Sequence, residues 1–245
     1  MELAGKTALI TGSGAVGGLG HATARALSAE GADVVLTGVD PARGAQVVDD
    51  LRAGGGVVRF VAADLSDPAA VQRLAEDAGA VDILINNASV MMFGPTTEQD
   101  IASHDAAFAV NVRAPFLLTA LLAPKMAAGG GGSIVNVSST AAGLGLPGMA
   151  LYGATKAALE SLTRTWAAEF AESNVRVNAV APGPMRTSKV VAAMGPDLGG
   201  MGLTTALKRT SDPAEVAQVI AFLASDRASY VTGAVVAADG GRTAV

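Results

Sequence analysis

Short apolar runs alternate along this chain with longer stretches of helical periodicity. The runs are Ala8–Ile10, Val34–Leu36, Val57–Val61, Ile83–Ile85, Ile134–Val137, Val175–Val180 and Ala234–Ala237. Each is continuously apolar, which is how parallel strands covered on both faces look. Between them, helical spacing predicts helices near 18–29, 42–53, 68–78, 98–126, 152–171 and 213–224. Strand–helix alternation of this kind implies right-handed βαβ crossovers and a doubly wound α/β fold. Gly129–Gly132 is too short to act as a linker between domains, so residues 1–245 read as one domain. The segment from Pro182 to about Arg209 shows no period and reads as a functional or mobile loop.

Composition narrows the classes of function. There is no cysteine, which excludes disulfides and thiolate zinc sites. With only His21 and His104 as imidazoles, a metal-centred mechanism is not expected. The formal net charge is −5 and no Lys/Arg run occurs, so a nucleic-acid surface is not expected either. No uninterrupted apolar run approaches the roughly 20 residues of a membrane span. The first strand begins almost at once with no basic region before it, which argues against a signal peptide. The expectation is a cytoplasmic protein without a membrane partner.

Three places carry candidate chemistry. The first is the turn Thr11-Gly-Ser-Gly-Ala-Val-Gly-Gly-Leu-Gly20, lying after the first strand and before a helix. Gly12-x-Gly14-x-x-Gly17 fits the dinucleotide fingerprint, in which glycines let the backbone approach a pyrophosphate at a helix N-terminus. A merely tight turn is the plainer alternative. The second is the end of the second strand, Gly38-Val39-Asp40. An acid there would bind a ribose diol, but Asp40 ahead of Pro41 also suits a helix N-cap. No well-placed cation appears for a 2′-phosphate, so the balance leans slightly to NAD over NADP.

The third place is Asn136 to Lys156. Tyr152 and Lys156 are four apart in a predicted helix, so both side chains share one face, about 5–6 Å apart at Cβ. A lysine beside a phenol would stabilise the phenolate and lower its pKa, letting it exchange a proton with an alcohol or carbonyl oxygen. Ser139 ends the preceding apolar run, and its hydroxyl could bond the same oxygen. A solvated helix face is the alternative for the pair alone. Asp64-Leu65 and Asn86-Asn87-Ala88-Ser89 end the third and fourth strands, at the edge that faces the ligand crevice in such folds. Asn111 stands mid-helix among apolar neighbours and needs partners there. It satisfies local backbone or holds a water.

Taken together, these residues resemble the short-chain dehydrogenase/reductase family over essentially the whole chain. The carriers are the T-G…G-L-G turn, Asp64, N-N-A-S, Asn111, Ser139, Tyr152 with Lys156, P-G-P-M-R-T at 182–187, and Y-V-T-G-A-V-V-A-A-D-G-G at 230–241. The resemblance implies a Rossmann-type fold: a mostly seven-stranded parallel sheet with helices on both faces. It also implies a homo-oligomer, tetramer or dimer, that interconverts small-molecule alcohols and carbonyl compounds with NAD or NADP.

Carried over, Tyr152 is the general acid/base, Lys156 tunes it and binds the nicotinamide ribose, and Ser139 orients the substrate oxygen. Asn111 positions a proton-relaying water. The dinucleotide lies along Gly12, Ser13, Gly14, Gly18, Leu19, Gly20, Gly38, Val39, Asp64, Leu65, Asn87 and Ala88. It continues to Tyr152 and Lys156, with Pro182, Gly183, Met185 and Thr187 at the nicotinamide end. Substrate would meet Met91, Phe93, Leu144 and Met149 beneath a lid at about 184–209. Two departures stand out: five residues separate Gly12 from Gly18, a two-residue lengthening, and Ser89 stands where the family usually has glycine. A carrier-bound 3-oxoacyl thioester is an alternative substrate, and a non-catalytic dinucleotide sensor an alternative role.

Overall fold

In the computed structural model, which describes Met1 to Val245, every apolar run becomes a strand of one sheet. The strands are β1 (Thr7–Ile10), β2 (Asp33–Gly38), β3 (Val58–Ala62), β4 (Ile83–Asn86), β5 (Gly132–Val137), β6 (Val175–Pro182) and β7 (Val235–Ala238). Their order is β3-β2-β1-β4-β5-β6-β7, and every neighbouring pair is parallel. The order reverses between β1 and β4. Loops leaving those two strands at their carboxyl ends diverge there and open a crevice.

Side chains alternate across each strand, and the two faces fill different cores. Ala8, Ile10, Leu36 and Ile85 join one core with α1 (Leu19–Ala29), α2 (Pro41–Ala53) and α8 (Pro213–Ala224). Leu9, Val35, Leu84 and Ile134 point to the other, against α3 (Pro68–Asp77), α5 (Ala114–Ala128) and α6 (Ala150–Phe170). Continuous apolar strands follow from this double cover. Three helices start by one device. Asp40, Asp67 and Asp212 each cap the turn with a side-chain oxygen, and a proline follows at the first helical position. Such caps stabilise by about 1 kcal/mol each.

Two predicted elements differ. The long helix at 98–126 is interrupted: α4 (Ile101–Phe108) passes through a π-turn at Ala109–Arg113 before α5 begins. Considered as one stretch, Ile101–Ala128 contains an 18-residue window of mean hydropathy 1.6, long and apolar enough for a membrane span. Ala114, Leu118, Leu122, Ala123 and Met126 are buried in the second core, so it packs as a core helix instead. The segment after Pro182 is not irregular throughout. It holds α7 (Ser188–Met194) and a short tight helix at Leu198–Thr204. Its base is tied by Arg186 N–H to the Ser211 carbonyl and by Ser211 N–H to the Pro184 carbonyl, both at 2.9 Å.

A chain of buried amides joins the strands beneath the crevice to α6. Asn86 Nδ2 donates to Asn136 Oδ1 at 2.8 Å, and Asn136 Nδ2 donates to Thr163 Oγ1 at 2.8 Å. All three residues are buried. Asn136→Leu removes the acceptor from a closed-off Asn86 amide and should destabilise the fold by about 2–4 kcal/mol. Urea unfolding measures this; a loss below about 0.5 kcal/mol, the scale of an indifferent surface change, would show that the amide chain does not hold the sheet to α6.

Candidate active site

The crevice is organised by contacts between the ends of β1 and β4. Thr11 N–H donates to the Ile85 carbonyl at 3.0 Å, and Thr11 Oγ1 accepts the N–H groups of Asn87 and Ala88, both at 3.0 Å. Asn87 Nδ2 donates back to the carbonyls of Thr11 and Gly12 at 2.8 and 3.1 Å. The glycine turn is thereby drawn against the β4 loop with no room for side chains. A Cβ on Gly12 would lie 2.6 Å from Ala88 Cα, and one on Gly20 would lie 2.7 Å from the Gly12 carbonyl oxygen. Gly12 also has φ +64°, where other residues are strained.

Within this turn the implied ligand residues divide. Gly14 and Gly18 present backbone, Gly18 standing at the N-terminus of α1 without a side-chain cap. Ser13 does not. It is fully buried, its N–H donates to the Thr37 carbonyl, and its hydroxyl donates to the Ile10 carbonyl at 2.7 Å. Neither group is free for a phosphate. Leu19 and Leu65 bury their side chains in the two cores, which leaves only their backbones for a ligand. Asp64 is held by the N–H and hydroxyl of Ser66 at 2.9 and 2.8 Å, which keep its carboxyl below the usual carboxylate value. A groove of about 440 Å³ runs past Val39, Ala63 and Asp64.

Asp40 resolves to its capping alternative. Its carboxylate accepts the N–H groups of Ala42 and Arg43 at 2.9 and 3.2 Å, so it faces its own helix. The cap leaves the choice between NAD and NADP without a committed acidic partner at this position. Gly38 ends β2 with no side chain to reject a 2′-phosphate, and Arg43 is exposed and in no ion pair.

The catalytic candidates converge where β5 ends and α6 begins. Lys156 is 1% exposed. Its Nζ donates to the Val137 carbonyl at 2.8 Å and lies 5.6 Å from the centre of the Tyr152 ring. Ser139 caps the short turn at Thr140–Ala142, accepting Ala141 N–H at 3.2 Å, and it and Ser89 stand near enough to the Tyr152 hydroxyl to favour its ionised form. Asn111 finds backbone partners, but on a distant loop and not on its own helix. Its Oδ1 accepts Val90 N–H, while Nδ2 donates to the Val90 carbonyl and to Thr155 Oγ1. Thr155 Oγ1 donates in turn to the Tyr152 carbonyl at 2.7 Å. The amide is therefore spent as a brace from the β4 loop to the first turn of α6. The π-turn around it breaks the regular helical bonding register at that point.

One expectation is corrected. Lys156 does not pull the phenol down here. Burial pushes Tyr152 above the ordinary tyrosine value, and hydrogen bonds from Ser139 and Ser89 offset this only partially. Lys156 stands over the ring face rather than at the hydroxyl, and burial weakens its own charge, lowering its pKa from 10.5 to about 8.

At the open side, Gly94 N–H donates to the Gly148 carbonyl at 3.0 Å, and the Phe93 ring lies against Gly148. This pairs the loop bearing Met91 and Phe93 with the segment bearing Leu144 and Met149. Met91 and Phe93 are exposed, the other two partly buried. Pro182 ends β6, and Gly183 passes so close to Asp239 Cα that a Cβ would sit 2.8 Å away. Met185 bridges to Ser211, and Thr187 caps α7. Thr11 and Thr155 are functional supports that local sequence does not reveal. Their hydroxyls act through partners 74–77 and 44 residues away, beyond the reach of any short spacing.

Residues 14–243 match the family model described as Enoyl-(Acyl carrier protein) reductase. A solved structure described as a short chain dehydrogenase/reductase family protein is 50% identical, with a TM-score of 0.94 over 100% of both chains. The cis-4-hydroxycyclohexanecarboxylate dehydrogenase of Sinomonas cyclohexanicum is 39% identical over 246 residues, 98% of this chain and 97% of its own. A blue fluorescent protein from a metagenomic library, solved in complex with NADPH, is 35% identical, with a TM-score of 0.91 over 99% of each chain.

Lys156 leaves a thermodynamic signature. Its folded pKa is depressed, so between pH 8 and 10.5 the unfolded chain holds a proton there that the folded chain lacks. Stability contributed by this site therefore rises with pH through that window. Below it, the buried charge costs the fold about 3 kcal/mol. Lys156→Met removes that dependence while leaving the Val137 carbonyl without its donor. Melting temperatures followed from neutral to alkaline pH should show the wild type gaining on the variant as pH rises. Parallel curves would mean that Lys156 is not buried as a charge.

Proposed function

The chain belongs to the short-chain dehydrogenase/reductase family, and on that premise we propose how its residues divide the interconversion of an alcohol and a ketone or aldehyde. The observation that carries the proposal is the convergence of Tyr152, Lys156 and Ser139 at the mouth of the β1/β4 crevice. A phenol pushed up by burial remains protonated at neutral pH and is suited to give its proton to a carbonyl oxygen. Ser139 bonds the same oxygen as charge develops on it. In the alcohol-oxidising direction Tyr152 must first lose its proton, and the charge of Lys156 favours the phenolate.

The dinucleotide, when bound, supplies or takes the hydride. Its pyrophosphate would lie along the turn at Gly12, Gly14, Gly18 and Gly20, next to the uncapped N-terminus of α1. Gly38, Val39 and Asp64 would border the adenosine end, and Asn87 and Ala88 the middle. The nicotinamide end would meet Pro182, Gly183, Met185 and Thr187, with Lys156 on its ribose. The substrate would lie between the paired loops bearing Phe93 and Met149 and the segment at 184–209. A homo-oligomer and a cytoplasmic location complete the proposal on the strength of the family resemblance; exposed Phe116, Phe222 and Tyr230 offer apolar surface for partner subunits. Similarity to the 3-oxoacyl-(acyl-carrier-protein) reductase FabG of Thermotoga maritima, 38% identical over 250 residues, favours a carrier-bound 3-oxoacyl thioester as the second reading.

Tyr152→Phe should lower kcat by at least about a hundredfold, the scale of general acid–base catalysis, while dinucleotide still binds. Nicotinamide absorbance with a panel of ketones and alcohols, carrier-linked 3-oxoacyl thioesters included, reads both this loss and the substrate class. Turnover near that of the wild type would take Tyr152 out of the chemistry.

With Asp40 committed to its cap, both coenzymes should serve, with kcat/KM values within about tenfold, or 1.4 kcal/mol, of each other. A Cβ at Gly38 has ordinary van der Waals room, 3.4 Å from Gly14 Cα. Gly38→Asp should therefore shift the ratio toward NAD by about tenfold or more. An unchanged ratio would place the 2′ position elsewhere.

A further inference from the structure

The Gly17 peptide is gripped at both of its polar groups. Its N–H donates to His21 Nδ1 at 3.2 Å, and its carbonyl accepts Ser188 N–H at 3.1 Å. The Ser188 hydroxyl donates to the adjoining Val16 carbonyl at 2.9 Å. Gly17 lies in the lengthened stretch of the glycine turn with φ +75°, and a Cβ there would come within 3.1 Å of Ser188. Ser188 is the first residue of α7, at the head of the 184–209 segment.

His21 is itself held. Its side chain is 8% exposed, and Nε2 lies 2.8 Å from Asp50 Oδ2 on α2. The same carboxylate oxygen accepts Arg25 Nη2 at 2.6 Å. An N–H donor on one side and a carboxylate on the other select one tautomer, with the hydrogen on Nε2 and the lone pair on Nδ1. The resulting path runs from Asp50 on α2, through His21 on α1, to the Gly17 peptide and on to Ser188. None of these side chains belongs to the catalytic set.

We propose that His21 is a positioning residue that sets the shape of the lengthened glycine turn and, through the Gly17 peptide, seats the 184–209 segment on it. Its effect falls on dinucleotide affinity and not on the proton-transfer step. A turn with two extra residues has more conformations to lose when it meets a pyrophosphate. Tying its peptide in advance lowers that cost of binding. The proposal rests on the reading of the crevice as a dinucleotide site. It gives the extra loop length a use: Val16 and Gly17 provide the two carbonyls that receive α7.

A histidine kept only for packing would be replaced well by leucine. A histidine kept for its Nδ1 acceptor would be replaced better by asparagine, whose Oδ1 can take the Gly17 N–H. The test is fluorescence titration of the full-length wild type, His21→Leu and His21→Asn with NADH and with NADPH, beside kcat at saturating coenzyme and proteolysis of the 184–209 segment.

His21→Leu should raise Kd about tenfold, the equivalent of one lost hydrogen bond. His21→Asn should stay within about threefold of the wild type. Neither should change kcat at saturation, and the leucine variant should be cut faster at 184–209. Equal Kd values for the two variants, or a fall in kcat at unchanged Kd, would overturn the proposal. Wild type that binds neither coenzyme would sink the dinucleotide reading itself, which the variants' ratio does not address. Should His21→Leu fail to fold, Ser188→Ala carries the test: it should raise Kd and speed proteolysis, and no change in either would overturn the coupling.

Discussion

A buried ammonium group is the constraint on which the rest of this site depends. Lys156 sits inside the protein with a single hydrogen bond, to the Val137 carbonyl. Enclosing a cation so sparsely partnered is expensive, and the depressed lysine pKa expresses that expense. The position makes no sense as a device for stability. It makes sense if the charge must lie close under the Tyr152 phenol, in surroundings where water does not screen it. Burial raises the phenol and lowers the ammonium at the same time, so each group resists ionisation. Paired titratable groups moved in this way mark an acid–base site more specifically than either does alone.

Holding such a pair requires a rigid frame, and side chains with no chemical role supply it. The Asn86–Asn136–Thr163 chain fixes α6 to β4 and β5 from below. Asn111 fixes the first turn of α6 to the β4 loop from the side, through Thr155 and Val90. The π-turn carrying Asn111 is the local irregularity that lets a polar side chain occupy the middle of an apolar helix. The first turn of α6 lacks a side-chain cap, so its alignment comes from these lateral bonds and not from its own sequence.

How much of this is legible in the chain follows from the range of each interaction. Continuous apolar strands and D-P helix starts are local signals, and the strands and most helix bounds follow from them with little shift. Tyr152 and Lys156 share a helix face by spacing, and they do so here. Direction is what local sequence does not carry. Asp40 turns toward its own helix and Ser13 toward the interior, where backbone partners two or three residues away, or on the next strand, hold them. The sign of the Tyr152 shift is hidden because spacing gives distance without depth, and depth decides the outcome. The π-turn is hidden because helix propensity weighs Asn111 against its neighbours in sequence, while its partners lie in a loop 21 residues earlier.

The glycines show the same division between fold and ligand. Gly12 and Gly20 are required by close backbone approach, and Gly44 by the Phe60 ring, which a Cβ would meet at about 2.5 Å. Gly14 also abuts Phe60, at 3.1 Å, so that ring holds the glycine turn, β3 and α2 in register. Gly38 lies among the same neighbours yet is under no such demand. Its nearest contacts are 3.4 to 3.6 Å from where a Cβ would stand, and it has no positive φ. A residue with room and ordinary backbone geometry gains nothing from being glycine in the fold, and it loses chain entropy by it. The reason for glycine there lies outside the protein, in whatever is to occupy the space at the end of β2. Leaving that space open admits a bare hydroxyl and a bulkier charged group alike.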